Sequence, residues 1–245
     1  MSEPREAYIV TGDSGGLGSA IARAIVRNVD GIVVGISRST NDTVLGLEEK
    51  LRDRFVHMAI DLADLQNLES TFKSGIYDRY RIKGLVNNSA TAYDDLATNL
   101  RIGPLHEMFS VNVYAAMVLS KMAIRNMLLH ESSGSIVHIS SVSVHTGYKG
   151  LSMYAATKGA IEAYSKNLAR EWGPRGIRSN CVAAGFMDTP MTSTLRDDQK
   201  SRIFQRNSMK TMMTTTEVAE SVAFLVTDRS SGITGTTVHV DKGTL

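Results

Sequence analysis

Tyr154 and Lys158 stand four residues apart in MYAATKGA, and Ser141 precedes them in HISSVSV. The surrounding Ala155, Ala156, Ala160, Ile161, Ala163 and Leu168 predict a helix, so both polar heads project from one helical face. A free tyrosine, with a pKa of about 10, is a poor acid or base near neutrality and needs a perturbing charge to serve as one. A unit positive charge at ~4 Å, at an effective dielectric of ~20, attracts a phenolate by about 4 kcal/mol, an upper bound worth roughly three pKa units. Lys158 is expected to supply that charge and lower the Tyr154 pKa, with Ser141 holding a substrate oxygen beside the phenol. The spacing alone describes equally well a half-buried tyrosine followed by a solvated lysine. The choice between the two rests on the rest of the chain.

The elements that would position these groups begin at residues 7 to 11, AYIVT, a short buried strand that runs into TGDSGGLGSAIARAIV. Gly12, Gly16 and Gly18 would permit a tight turn, a close approach of backbone to a pyrophosphate and the packing of helix on strand, with the helix N-terminus facing the anion. Many strand-to-helix loops carry glycine for conformation only, but the position directly after the first strand points to a dinucleotide. The next strand, 31 to 36, ends in Ser37 and Arg38 and not in the acidic residue that would accept from a ribose 2′-hydroxyl. A hydroxyl and a guanidinium fork suit a 2′-phosphate and favour NADP(H), although Arg38 could also be a turn residue in solvent.

Helix and strand patterns then alternate. Helices are expected near 44–53, 64–80, 104–130, 151–172 and 216–227, and strands at 55–60, 84–87, 135–140, 177–182 and 236–240. This predicts an α/β fold of the Rossmann type, a doubly wound, mostly seven-stranded parallel sheet with helices on both faces. In such sheets ligands lie beyond the carboxyl ends of the strands, where Asp61, Asn87, Asn88, Ser141 and the run from Gly185 to Thr189 fall. Residues 1–245 read as one domain, and the methionine-containing excursion from 190 to 215 reads as a lid or as ordinary packing.

At 245 residues, 42% hydrophobic and 21% charged, the chain can bury a substantial core. A formal charge of +2, with Lys and Arg scattered, gives no support to a nucleic-acid or membrane partner. Cys181 is the only cysteine, and the start MSEPREAYIV lacks a signal-peptide core, so a cytoplasmic protein is expected. No apolar run approaches the ~18 residues of a membrane span. The six histidines show no metal-ligand spacing, and no metal is expected.

TGDSGGLG, NNSA, VNV, and SSV with YAATK resemble, in order and spacing, the motifs of the short-chain dehydrogenase/reductase family, and the resemblance covers nearly the whole chain. It implies an oxidoreductase acting on CH–OH/C=O groups with NAD(P). Its catalytic residues would be Asn112, Ser141, Tyr154 and Lys158, with Ser140 the alternative serine. In the family the tyrosine exchanges the substrate proton, the serine orients the carbonyl, and the lysine binds the nicotinamide ribose and lowers the tyrosine pKa. The asparagine holds a water in a proton relay and also relieves a helix irregularity. Cofactor contacts would fall on Gly12, Ser14, Gly16, Leu17, Gly18, Ser37, Arg38, Asp61, Leu62, Asn88, Ser89, Ala90, Tyr154, Lys158, Gly185, Met187 and Thr189. The expected cofactor is NADP(H), with NAD(H) accommodated.

Departures from the family pattern are Ala90 for the glycine of NNAG, Ala184 for the proline after the sixth strand, Gly15 where NADP-linked relatives often carry a basic residue, and the ending VHVDKGTL. Within the family the likeness is to β-ketoacyl carrier-protein reductases. This suggests a 3-oxoacyl thioester as substrate, with Arg175 but not Ser132 matching the arginine pair that docks carrier protein. Alternatives are an NAD-linked dehydrogenase of a sugar or small polyol, and a dinucleotide-binding regulator without catalysis. A homotetramer or homodimer built on the long fourth and fifth helices is expected.

Overall fold

In a computed structural model of the chain, residues 4–189 and 197–245 are described. Seven strands form one sheet: β1 Glu6–Thr11, β2 Ile32–Ser37, β3 Phe55–Ala59, β4 Arg81–Asn87, β5 Gly134–Ser141, β6 Ile177–Ala184 and β7 Thr237–Val240. Their order is β3-β2-β1-β4-β5-β6-β7, and every pairing is parallel. The strand order reverses between β1 and β4, which opens a crevice at their carboxyl ends.

The helices are α1 Gly16–Asn28, α2 Asp42–Leu51, α3 Leu65–Phe72, α4 Ile102–Phe109, α5 Ala115–Leu129, α6 Ser152–Trp172, α7 Asp197–Phe204 and α8 Thr215–Val226. Ile21 and Ile25 of α1, Leu47 of α2 and Val222 of α8 pack on Val10, Val33 and Val182 in one core layer. Phe72 of α3, Leu119 and Met127 of α5 and Leu168 of α6 pack on Ile9, Val34 and Ile136 in the other. The strands are therefore buried from both sides. β6 is buried at every residue, the polar Arg178, Ser179 and Asn180 included, so its sequence shows no in-out alternation.

Three elements depart from the sequence expectation by more than two residues or by an interruption. β4 begins at Arg81 instead of 84, because Arg81 sits opposite Glu6 in the β1 register and pairs with its carboxylate, so a charged residue opens the strand. The helix expected over 64–80 ends as α3 and continues as a π turn, Lys73–Tyr77. The helix expected over 104–130 is α4 and α5 separated by a second π turn, Ser110–Tyr114, which contains Asn112. Of the 190–215 excursion, 190–196 lie outside the described residues; α7 lies within the remainder.

Candidate active site

The first turn after β1 is shaped by glycine. Gly12 has φ of +76°, and a Cβ on Gly18 would lie 2.0 Å from the Gly12 carbonyl oxygen, so α1 can approach the turn only without that atom. Gly15 caps α1 with no side-chain hydrogen bond and no acidic residue in the first turn, which leaves the leading N–H groups directed outward at a site that favours an anion. Neighbouring strands hold the turn in place. Thr11 Oγ1 accepts from the amides of Asn88 and Ser89 at 2.9 Å each, and the Asn88 side chain donates to the Thr11 carbonyl at 2.8 Å. The amide nitrogen of Asn88 therefore braces the turn.

The turn opens onto a cleft of about 690 Å³ over the carboxyl ends of the strands. Every cofactor-contact residue named from the sequence lines it, as do Ser141, Tyr154 and Lys158. The small residues of the turn, the uncapped α1 terminus and the exposed guanidinium of Arg38 form a donor set that fits a dinucleotide. The Asp61 carboxylate accepts from the Ala63 amide at 2.9 Å and thereby fixes the bend after β3.

Tyr154 and Lys158 occupy one ridge of α6, with the ammonium 5.6 Å from the phenol ring centroid. Lys158 is 3% exposed and donates to the Ile139 carbonyl oxygen at 2.8 Å. Burial lowers its pKa to about 8. The expected lowering of the Tyr154 pKa is not found: burial, reinforced by the Asp94 carboxylate, pushes it up to about 12. The physical reason is that a phenolate here would lose its water before it gained an ammonium, and the ammonium is itself desolvated and shared with a carbonyl. The neighbouring His138 is held neutral, its pKa lowered to about 3 by burial and by Lys158.

Ser141, the last residue of β5, accepts from the Ser143 amide at 3.1 Å and the Ser143 hydroxyl at 3.0 Å. With two donors on its oxygen, its own proton is free to be donated. Asn112 does not line the cleft. It lines an adjoining cavity of about 10 Å³, shared with Asn87, Ser89 and Lys158, that suits about one water. Its side chain accepts from the Thr91 amide at 2.8 Å and donates to the Thr91 carbonyl and to Thr157 Oγ1. It thus ties the α4–α5 irregularity to both the loop after β4 and α6. Ser140, the alternative serine, also lines the cleft but is buried, and its hydroxyl proton is taken up by Glu162.

Sequence reasoning missed several residues. Glu162 extends the ridge 154, 158, 162 by one turn, and its carboxylate bridges the Ser140 hydroxyl and His145 Nε2, the latter at 3.0 Å, on the two flanks of Ser141. The i, i+4, i+8 spacing could have revealed it. Asp94 and Lys149, from loops with no periodicity to read, and Glu107, from α4, also line the cleft. The departures near the C-terminus have a structural account. Asp241 packs on Gly185 and accepts from the Gly243 amide at 2.8 Å, and Lys242 pairs with Glu217 of the α8 capping box at 2.7 Å, so the ending supports the loop after β6.

A family model described as Enoyl-(Acyl carrier protein) reductase matches residues 12–244. The chain belongs to the short-chain dehydrogenase/reductase family. It is an NAD(P)-dependent oxidoreductase. It is 33% identical over 243 residues to the 3-oxoacyl-[acyl-carrier-protein] reductase FabG of Salmonella typhimurium, covering 99% of this chain and 98% of that protein. It is 32% identical over 235 residues to Nodulation protein G of Rhizobium sp. (strain N33), covering 96% and 95%. A solved structure described as an NAD(P)-dependent gluconate 5-dehydrogenase from Beutenbergia cavernae, with NADP bound at low occupancy, superposes with a TM-score of 0.91 at 31% identity, covering 98% of this chain and 96% of that one. Among the described residues no group of metal-ligating side chains could hold an ion, and no helix is long and apolar enough to cross a membrane.

Proposed function

We propose that the protein interconverts a ketone and a secondary alcohol with NADP(H), using Tyr154 as proton donor and acceptor, Ser141 to hold the substrate oxygen, and Lys158 and Asn112 to support them. The observation that carries this reading is the meeting of Ser141, Tyr154 and Lys158 with the glycine turn and Arg38 in one cleft. When bound, the reduced nicotinamide supplies the hydride. A phenol with its pKa pushed up to about 12 is protonated at neutral pH and so carries the proton a carbonyl oxygen would take, but it is a weaker acid than free tyrosine and would give that proton up only as charge develops on the oxygen. The free Ser141 proton can meet the same oxygen. Of the three Lys158 donors one is taken by Ile139, which leaves the others for the cleft and the small cavity beside Asn112. Ser37 and Arg38 would receive the 2′-phosphate and favour NADP(H) over NAD(H).

For the substrate, the likeness to 3-oxoacyl carrier-protein reductases supports a 3-oxoacyl thioester. A second reading, a sugar or sugar acid, is supported by the polar outer cleft, where Asp94, Glu107, Tyr148 and Lys149 offer hydrogen bonds to hydroxyl groups. Loss of NADPH absorbance over a panel of 3-oxoacyl thioesters, keto-sugar acids and simple ketones tests both. Tyr154→Phe should lower turnover on the best substrate by about a hundredfold or more, with the NADPH Kd within about twofold of wild type, since no binding hydroxyl but this one is lost. Undiminished turnover in that variant would defeat the proposal.

A further inference from the structure

Asp13 lies inside the glycine turn yet faces away from the cleft that Gly12 and Ser14 line. It is fully buried, and its Oδ2 lies 2.7 Å from Nδ1 of His57 in β3, whose side chain is 5% exposed. The space it occupies exists because residue 35 of β2 is glycine: a Cβ there would stand 2.2 Å from Asp13 Oδ2 and 2.8 Å from the Phe55 ring. Gly35 and His57 are register partners across β2 and β3. Residues from three separate elements are thus fitted to one buried hydrogen bond, while Asp13 Oδ1 and His57 Nε2 have no partner.

A buried carboxylate is costly to keep, and the apolar packing of a small residue would fill the same space. What the polar pair adds is direction: a single placement of the turn relative to β2 and β3. On the reading proposed above, these are the two sides that NADP(H) bridges. The pyrophosphate would meet the turn, and the 2′-phosphate would meet Ser37 and Arg38, which begin two residues beyond Gly35. A ligand with phosphates at both sites senses their relative placement, whereas one lacking the 2′-phosphate senses it much less.

We propose that Asp13 and His57 are positioning residues for NADP(H): their buried hydrogen bond sets the glycine turn in register with the 2′-phosphate side of the pocket. Neither touches the cofactor.

The test is fluorescence titration of the full chain with NADPH and, separately, NADH, alongside kcat at saturating NADPH and the Tm. His57→Leu and Asp13→Ala should each weaken NADPH about tenfold, the equivalent of ~1.4 kcal/mol, and NADH by no more than about threefold, with kcat nearly unchanged. His57→Asn can donate from Nδ2 in place of the ring Nδ1–H and should keep the wild-type preference. Should His57→Leu not fold, Asp13→Ala, which leaves no lone buried carboxylate, carries the test with His57→Asn. Equal weakening of both cofactors, a preference that does not move, or no rescue by asparagine overturns the proposal. Arg38→Ala separates the two layers. If it lowers the preference while Asp13→Ala and His57→Leu do not, the positioning role alone fails; if it leaves the preference unchanged, the 2′-phosphate reading fails and the positioning role with it.

Discussion

Replacing Lys158 by Met should make the protein more stable at neutral pH while removing its turnover. The ammonium is 3% exposed, and burial lowers its pKa from 10.5 to about 8. At about 1.4 kcal/mol per pKa unit, the charged form costs the folded state about 3 kcal/mol. The sign follows from proton counts. Between pH 8 and 10.5 the unfolded chain still holds the proton that the folded chain has released, so stability rises with pH across this window. The cost is therefore complete below pH 8 and fades toward pH 10.5. Methionine fills a similar volume without charge, but it leaves the Ile139 carbonyl without its 2.8 Å donor, a loss of about 1–3 kcal/mol.

The balance at pH 7 is a gain of about 1 kcal/mol for the variant, within a range of roughly 0–2. At pH 10 most of the wild-type penalty is gone, and the variant should be the less stable of the two. Other nearby groups do not blur the comparison: His138 is neutral above pH 3, and Tyr154 and Cys181, both pushed up to about 12, stay protonated at pH 10. Urea denaturation of both proteins at pH 7 and pH 10 provides the measurement. A variant less stable than wild type at pH 7, or a difference that is the same at both pH values, would refute the account of Lys158 as a charge held in place at the expense of stability. Turnover in the variant should fall about a hundredfold or more, because the phenol loses the positive charge beside it.

Glu162→Ala removes the carboxylate that bridges Ser140 and His145 around Ser141, and turnover should fall about tenfold with cofactor affinity unchanged; Glu162→Gln, which still offers an acceptor, should recover part of it. A drop in NADPH affinity equal to the drop in turnover would assign Glu162 to general stability instead. Gly18→Ala places a Cβ 2.0 Å from the Gly12 carbonyl and should weaken NADPH by more than about tenfold by fluorescence titration, with wild-type affinity in that variant ruling out the close helix approach as the basis of binding.

The sheet was legible where both of its faces are covered: β1 and β2, buried at nearly every residue, are short apolar runs on either side of a helix, and that spacing reports the βαβ repeat directly. The reading slipped where a local rule was locally broken. Arg81 opens β4 with a charge that pairs with Glu6, far away in the sequence, and so the strand's first residues look like a loop. The two π turns follow no composition signal; the one at Ser110–Tyr114 is stabilised by Asn112 bonding to Thr91 and Thr157, partners that tertiary structure supplies.

The positions of the reactive groups could be read from spacing, but their protonation could not. Four residues along a helix fix which face Tyr154 and Lys158 share, because that depends on helical geometry alone. Whether the lysine lowers the phenol's pKa depends on a contest between Coulomb attraction and desolvation, and desolvation is set by everything packed around the pair: Ile139 on the ammonium, His138 held neutral beside it, Asp94 across the cleft. Here desolvation prevails for both groups, moving the lysine down and the tyrosine up. A tyrosine left in that state keeps its proton at neutral pH and parts with it less readily than a free phenol. Proton exchange in either direction therefore calls for more charge next to the phenol than the desolvated Lys158 ammonium supplies by itself.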